Sequence, residues 1–215
     1  MRIAELYARG EPVVSFEFFP PKTDAGYASL AHTIADLKRL SPGFVSVTWG
    51  AGGSTRSKTI DLVVSIQREI GLTAMAHMTC VGAPRMQLAE TLAHLASEGI
   101  ENVLALRGDP PKDAAGFEAV EGGFSHADEL VAFVREHFDL CVGAACYPEM
   151  HPEAPSAEAD LANLVHKVHA GAEFLITQLF FDPDDYSAFV ARARAAGIEV
   201  PIVPGIMPVV SAANA

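Results

Sequence analysis

The stretch VVSFEFFPPK, at residues 13–22, places one acid inside an apolar strand and then ends that strand with two prolines. Alternation along a strand predicts Phe16 and Phe18 on one face and Glu17 on the other. The two prolines lack the backbone N–H groups that a sheet ladder needs, so the strand must stop beside them. Glu17 is therefore expected near the C-terminal end of a strand.

The surroundings of Glu17 point to a chemical role. Burial disfavours the charged form of a carboxyl group, so three flanking phenylalanines are expected to raise the pKa of Glu17. A carboxylic acid that stays protonated near neutral pH can act as a general acid. The alternative is an ordinary acid at an exposed strand edge, and the local sequence does not decide between the two.

Composition limits the class of protein. The chain has 215 residues, of which 50% are hydrophobic and 20% charged, which predicts one well-buried domain over residues 1–215. A formal net charge of −12 argues against a nucleic-acid or anionic-membrane partner. No apolar run is long enough to span a bilayer, so we expect no membrane segment. Three irregularly spaced cysteines and no apolar leader predict a reduced, cytoplasmic protein.

Strand and helix patterns alternate along the chain, at roughly thirty residues per unit. After the strand of Glu17, the predicted strands are Phe44–Trp49, Ala74–Cys80, Asn102–Leu106, Leu140–Tyr147, Phe174–Phe180 and Val200–Pro204. The predicted helices cover residues 3–9, 24–40, 58–70, 84–98, 126–137, 157–170 and 183–196. Asp24 is expected to cap the second helix. Strands this apolar are typical of a parallel sheet buried on both faces.

A doubly wound sheet and a (β/α)8 TIM barrel both fit this α/β order. The barrel is favoured because polar residues follow nearly every strand, whereas a doubly wound sheet would concentrate them at one switch point. These residues are Glu17, Thr48, His77, Asp109, Tyr147 and Gln178, and we expect them to converge on one end of the barrel. Only seven strand–helix units are visible, so we expect a C-terminally incomplete barrel with an open seam between its first and seventh strands.

Two glycine-containing loops are candidates for ligand contact. No G-x-G-x-x-G follows the first strand, so a Rossmann nucleotide site has no support. Gly50–Ser54 lacks the lysine of a P-loop and is a weak phosphate cradle, and a flexible strand-to-helix loop with Ser54 or Thr55 as N-cap is the favoured interpretation. Arg107, Gly108 and Asp109 end a strand with a cation, a glycine and a carboxylate that can all approach one ligand. A turn with a surface ion pair is the alternative interpretation of this second loop.

A metal site is a further alternative. His77 and Cys80 have ligand-like spacing, with Cys146 and His151 in another unit. Four zinc ligands usually come as tight pairs, however, and both cysteines can equally serve as small buried hydrophobes. We therefore predict no metal.

The segment after the fifth strand is a rigid polar loop. Residues 147–153, YPEMHPE, hold an aromatic ring, a histidine and two acids between prolines that fix the path of the chain. The following helix offers Asp160, Asn163 and Lys167 on one face. Such a loop suits ligand binding, although a helix face of this kind is by itself usually solvated.

Taken together, these segments are similar to those of a known family. They read FEFFPPK, FVSVTWGAGGS, AHMTC, ALRGDPP, YPEMHPEA, ITQLFFD and PGIMPV, in this order. Over essentially the whole chain they resemble methylenetetrahydrofolate reductase of the bacterial type. The resemblance implies a barrel that binds FAD, is reduced by NADH or NADPH, and passes hydride to 5,10-methylenetetrahydrofolate. The product, 5-methyltetrahydrofolate, would feed one-carbon and methionine metabolism.

The resemblance also implies roles for individual residues. Glu17 would be the general acid that assists opening of the folate's five-membered ring. Asp109 would lie between flavin and folate, and Gln178 would contact folate and nicotinamide in turn. The positions that match flavin or nicotinamide contacts are Thr48, His77, Arg107, Gly108, Asp109, Ala127, Tyr147, His151, Asp160, Asn163 and Lys167. Lys167 would supply the cation that a diphosphate needs.

The sequence departs from the family pattern in three places. His126 stands where the family usually has a tyrosine, and His166 where some members have arginine. After Pro208 the text VVSAANA lacks the usual continuation. Two alternatives therefore stay open: a reductase of the same folate without tightly held flavin, and a non-catalytic folate- or flavin-binding fragment. The choice between NADH and NADPH also stays open, as does a homo-oligomer.

Overall fold

In a computed structural model, which describes residues 1–21, 23–49, 56–109 and 117–207, seven strands form one parallel sheet. The strands are β1 (Ser15–Phe18), β2 (Phe44–Val47), β3 (Ala74–Thr79), β4 (Asn102–Leu106), β5 (Cys141–Cys146), β6 (Phe174–Thr177) and β7 (Ile202–Val203). Each strand pairs with the next in chain order, always in parallel. The predicted loop at residues 50–54 and the segment after residue 207 lie outside the described residues.

An α-helix follows each of the first six strands, and one more precedes β1. The helices are α1 (Ile3–Tyr7), α2 (Asp24–Leu37), α3 (Arg56–Ser65), α4 (Arg85–Ser97), α5 (Ala127–His137), α6 (Ala157–His169) and α7 (Pro183–Ala195). A 3-10 turn, Lys38–Leu40, extends α2, and a π-helical turn, Ile66–Ile70, extends α3. This order confirms the predicted α/β fold of the TIM-barrel type, with seven strands present.

The start of α2 differs from the prediction. Thr23, not Asp24, is the cap, because its backbone is extended (φ −124°, ψ 153°) while Asp24 is already helical. The Thr23 hydroxyl accepts a hydrogen bond from the Gly26 N–H at 3.1 Å. At α7 the cap is Asp182, directly before Pro183, which suits a first helical position because it needs no donor there.

The sheet divides the interior into two layers. Side chains on its outer face pack against the helices and form the larger apolar core. Phe16 and Phe18 belong to this outer layer, while Glu17 between them lines a cavity on the inner face with His77. The predicted alternation along β1 is therefore confirmed.

A smaller apolar cluster fills the inner face at the N-terminal ends of the strands. Its buried members are Ile3, Leu6, Phe44, Met75, Leu104, Cys141 and Phe174. Gly143 is opposite Phe174 in the register, and a Cβ there would lie 2.4 Å from the phenyl ring, which explains a glycine inside a strand. Asn102 attaches α1 to this end: its Oδ1 accepts from the Ile3 N–H at 2.8 Å, and its Nδ2 donates to the Met1 carbonyl at 3.0 Å. Helix α1 thus closes the N-terminal end.

The two outermost strands of the sheet are β1 and β7. Within the described residues no pairing joins them, as the predicted seam requires. None of the helices in the same part of the chain combines the length and apolarity needed to cross a bilayer.

Candidate active site

A cavity of about 750 Å³ opens at the C-terminal ends of the strands. Five of the six residues expected to converge there do so: its lining includes Glu17, Thr48, His77, Asp109 and Gln178. Gly108 lines the same cavity, whereas Tyr147 lines a smaller one beside it. The parallel order of the strands explains the convergence, because all their C-terminal ends meet at one edge.

The Glu17 carboxylate contacts two neighbours through one oxygen. The Ser46 hydroxyl donates to Oε2 at 3.4 Å, and Nε2 of His77 lies 3.3 Å from the same oxygen. Both neighbours are buried, with 3% of Ser46 and 5% of His77 exposed. The Glu17 side chain, by contrast, is 46% exposed. A polar group from each of three adjacent strands thus meets at the cavity wall.

These contacts overturn one prediction. Burial acts to raise the pKa of Glu17, but the contacts with His77 and then with Ser46 outweigh it, so the pKa lies below its usual value. The phenylalanines do not enclose the carboxyl group as expected, because Phe16 and Phe18 lie on the outer face and Phe19 is 73% exposed. In the ligand-free protein Glu17 is therefore a carboxylate at neutral pH.

Two buried polar atoms of β3 have no hydrogen-bond partner of good geometry among the described residues. They are Nε2 of His77, which is near Glu17 but poorly aligned with it, and Oγ1 of Thr79. Thr79 and Ser46 were not predicted as site residues. Strand alternation could have found both, since Thr79 follows His77 by two positions and Ser46 precedes Thr48 by two.

The two charged residues of the Arg107–Asp109 turn line different cavities. Gly108 has φ +87°, and a Cβ there would lie 2.8 Å from Val81, so the turn requires glycine. Asp109 then lines the first cavity, and Arg107 lines a second one of about 350 Å³. Gly108 and Asp109 thus share the first cavity, and Arg107 lines the second, so the three residues do not all face one cavity as expected.

The Arg107 guanidinium is held in place by two neighbours. It pairs with both carboxylate oxygens of Glu153, with Nη2 2.9 Å from Oε1, and it lies 5.0 Å from the ring centroid of Phe117. The hydrogen bonds from Arg107 lower the pKa of Glu153. The ion pair foreseen as an alternative for this turn is therefore present, with a partner that the sequence did not identify.

The remaining predicted residues surround the second cavity and a smaller one of about 50 Å³. His151, Asp160, Asn163 and Lys167 line both of these cavities, Ala127 lines the larger and Tyr147 the smaller. The Asp160 carboxylate accepts from the His151 N–H at 3.0 Å. The Lys167 ammonium donates to the carbonyl of Ala145 at 2.8 Å, and burial lowers the pKa of Lys167. His126 also lines the larger cavity.

Cys80 and Cys146 are the two thiols that entered the metal alternative. Both are free and buried, and burial raises the pKa of each to about 12. A thiol with such a pKa stays protonated near neutral pH. Within the described residues, no three His, Cys, Asp or Glu side chains are placed to hold a metal ion together.

A parallel β/α sheet with a polar cavity at its C-terminal strand ends is the arrangement of TIM-barrel enzymes. The family model "Methylenetetrahydrofolate reductase" matches residues 2–215. The 5,10-methylenetetrahydrofolate reductase of Pectobacterium carotovorum subsp. carotovorum is 46% identical over 209 residues, covering 96% of this chain and 67% of that one. The chain therefore belongs to the methylenetetrahydrofolate reductase family.

Relatives of this chain differ in length. The Arabidopsis thaliana protein "Methylenetetrahydrofolate reductase (NADH) 1" is 42% identical over 219 residues, which cover 97% of this chain but 37% of the plant protein. This chain spans about two thirds of the length of its bacterial relatives and about one third of the yeast and plant ones.

Solved structures show the same fold. A Clostridium thermocellum protein described as binding two copies of 5-methyl-5,6,7,8-tetrahydrofolic acid has a TM-score of 0.60 and 12% identity. The match covers 93% of this chain and 67% of that protein. At this identity the likeness concerns the fold alone.

Proposed function

We propose that this chain reduces 5,10-methylenetetrahydrofolate to 5-methyltetrahydrofolate, with FAD as bound cofactor and NADH or NADPH as hydride donor. Family membership supports the reaction, and the NADH in the name of the plant relative supports a nicotinamide donor. The observation that carries the proposal is the placement of Glu17, Asp109 and Gln178 around one cavity. An acid, a second carboxylate and an amide there can protonate and orient a pterin-like ligand.

The residues of the second and smaller cavities fit a flavin dinucleotide. An ammonium group has three donors, and the hydrogen bond from Lys167 to the Ala145 carbonyl uses one, so donors remain for a diphosphate. Nε of Arg107 is buried and has no hydrogen-bond partner in the part of the chain described. Ala145 also lines the 750 Å³ cavity, so a ligand that begins beside Lys167 can extend toward Glu17. Bound FAD would supply the hydride for the folate.

The proposed task of Glu17 is to deliver a proton. Protonation of a nitrogen in the folate's five-membered ring lets the adjacent C–N bond open to an iminium, which accepts a hydride at its carbon. In the ligand-free protein the lowered pKa of Glu17 opposes this task. A folate that excludes water from the cavity strengthens the burial that raises a carboxyl pKa. We therefore infer that Glu17 takes up its proton when folate binds.

Asp109 and Gln178 are proposed to hold the folate rather than to supply the proton. Both are exposed toward the cavity in the ligand-free protein, and they enter it from β4 and β6, away from Glu17 on β1. An ionised carboxylate accepts hydrogen bonds, and an amide both accepts and donates them. Together they suit the N–H and carbonyl groups of a pterin edge.

The absorbance spectrum and the turnover of the purified 215-residue chain test the proposal together. Bound flavin with NAD(P)H-dependent formation of 5-methyltetrahydrofolate is the expected result. Turnover without flavin absorbance would favour the flavin-independent reductase. Binding of FAD or folate without turnover would favour the non-catalytic fragment, and neither binding nor turnover would refute the proposal.

A further inference from the structure

Ser46 touches the proposed acid although neither the sequence motifs nor the family resemblance assigned it a role. It lies on the inner face of β2, buried, and its Cα is the register partner of Glu17 on β1. Its hydroxyl donates to Oε2 of Glu17, the oxygen that also faces Nε2 of His77. Both contacts therefore fall on one side of the carboxylate.

We propose that Ser46 is a positioning residue for Glu17. Ser46 and His77 both contact Oε2 of the Glu17 carboxyl group, so the proton that Glu17 transfers is carried on its other oxygen, Oε1. The inference rests on the proposed role of Glu17 as the general acid. An oxygen that already accepts from a donor is the poorer place for a proton, so the protonated carboxyl group keeps its O–H on the other oxygen. Ser46 thereby decides which oxygen delivers the proton.

The contact between the Ser46 hydroxyl and Oε2 of Glu17 is long. At 3.4 Å the oxygen–oxygen distance exceeds that of a strong O–H···O hydrogen bond. Catalytic hydrogen bonds are often long before the substrate is bound, and they tighten in the complex. We expect the Ser46–Glu17 distance to shorten once folate fills the cavity.

Few charges face Glu17, so the effect of Ser46 can be isolated. Among the described residues that line the cavity, the other ionisable side chains are His77 from β3 and Asp109 after β4. Ser46 and Thr48 on the neighbouring strand β2 are uncharged. Replacement of Ser46 therefore removes a hydrogen-bond donor and leaves the charges of the site unchanged.

Ser46→Ala is expected to have two opposing effects on the rate of folate reduction. Loss of the donor raises the pKa of Glu17, because a hydrogen bond to a carboxylate favours the charged form. Loss of the fixed orientation slows folate reduction, on the order of tenfold, at low pH where Glu17 is protonated in both proteins. As pH rises, Glu17 loses its proton in the wild-type protein before it does so in Ser46→Ala, because its pKa is lower in the wild type. The ratio of wild-type to variant rate should therefore narrow toward high pH.

The first test needs no activity. Carboxyl ¹³C NMR of the ligand-free protein, with the Glu17 signal assigned by Glu17→Gln, gives the pKa of Glu17 directly. We expect a higher pKa in Ser46→Ala, a smaller rise in Ser46→Cys, which keeps a weak donor, and a near wild-type value in Ser46→Thr. The matched control is Ser15→Ala, on the same strand as Glu17 and opposite Phe44, which should leave this pKa unchanged.

The second test separates the half-reactions by rapid kinetics. Reduction of flavin by the nicotinamide should be unchanged in Ser46→Ala. For folate reduction, the ratio of the wild-type rate to the Ser46→Ala rate should narrow toward high pH. Identical Glu17 titrations in Ser46→Ala, Ser46→Cys and Ser15→Ala would overturn the proposal, as would equal slowing of both half-reactions at every pH. A wild-type chain without folate reduction would refute the proposed function alone, since the titration would still decide whether Ser46 acts on Glu17.

Discussion

The two ends of the sheet's inner face differ in whether their buried polar groups are hydrogen-bonded. At the N-terminal end Asn102 is fully buried, and both atoms of its amide group bond to the backbone around α1. At the C-terminal end His77 and Thr79 each bury a polar atom without a well-formed hydrogen bond in the described residues. A buried polar atom without a partner costs about 1–3 kcal/mol. The first end is arranged for stability, and the second leaves polar groups that could bond to the ligand of the proposed function.

The apolar groups show the same contrast. Among the described residues, seven buried side chains fill the N-terminal end, including Phe174 with its ring against Gly143. The C-terminal end contains the cavity of about 750 Å³. In TIM barrels the loops at the C-terminal end carry the chemistry, and the N-terminal end contributes to stability, so the loops can vary while the fold is kept. Substitutions at the two ends should therefore affect different measurements.

The largest expected effect is on the chemistry of the C-terminal end. Glu17→Gln should slow folate reduction by about 10² to 10⁴, the usual contribution of a general acid, because shape and hydrogen bonding survive while the proton does not. Flavin reduction by the nicotinamide should stay nearly intact in stopped-flow measurements. Equal losses in the two half-reactions would mean that Glu17 is structural or binds flavin instead.

The next effect is on the stability of the N-terminal end. Phe174→Ala should lower the free energy of unfolding by about 3–5 kcal/mol, because it empties a fully buried site. Phe181→Ala is the matched control, since that ring is 72% exposed and its removal should change stability by less than about 0.5 kcal/mol. Urea denaturation measures both. Similar losses in the two variants would contradict the assignment of the core.

A smaller loss is expected for the polar link to α1. Asn102→Ala should destabilise the protein by about 1–3 kcal/mol, because it leaves the buried Ile3 N–H without an acceptor. Asn163→Ala, at an exposed position of α6, should have little effect on stability. Thermal and urea unfolding would measure this difference, and a neutral Asn102→Ala would show that α1 does not depend on the amide.

The smallest effect has the opposite sign. Thr79→Val removes a buried hydroxyl that has no partner in the described part of the chain, so it should stabilise the ligand-free protein by up to about 1 kcal/mol. Thr91→Val is the control, because the Thr91 hydroxyl donates to the Gln87 carbonyl at 2.9 Å and its loss should not stabilise. Equal changes in the unfolding free energy of the two variants would remove the contrast between the ends.

Much of the fold could be predicted because the signals are local. The apolar run Asn102–Leu106 gave the bounds of β4, and alternation gave the face of Glu17. The predicted strand Phe174–Phe180 extended beyond its observed end at Thr177, since apolar character continues where the ladder stops. The features that sequence missed depend on contacts between distant residues. The pKa of Glu17 is set by His77 and Ser46 from two other strands, and no local pattern encodes such a meeting.

Difference hydrogen exchange tests most directly whether the C-terminal end is the ligand site. The measurement compares the protein alone with the protein after addition of FAD and 5-methyltetrahydrofolate. We predict slower exchange in the segments that carry Glu17, His77, Asp109 and Gln178, with no change in α1 at the opposite end. Protection confined to α1 and the start of β4, with none around the 750 Å³ cavity, would contradict the account.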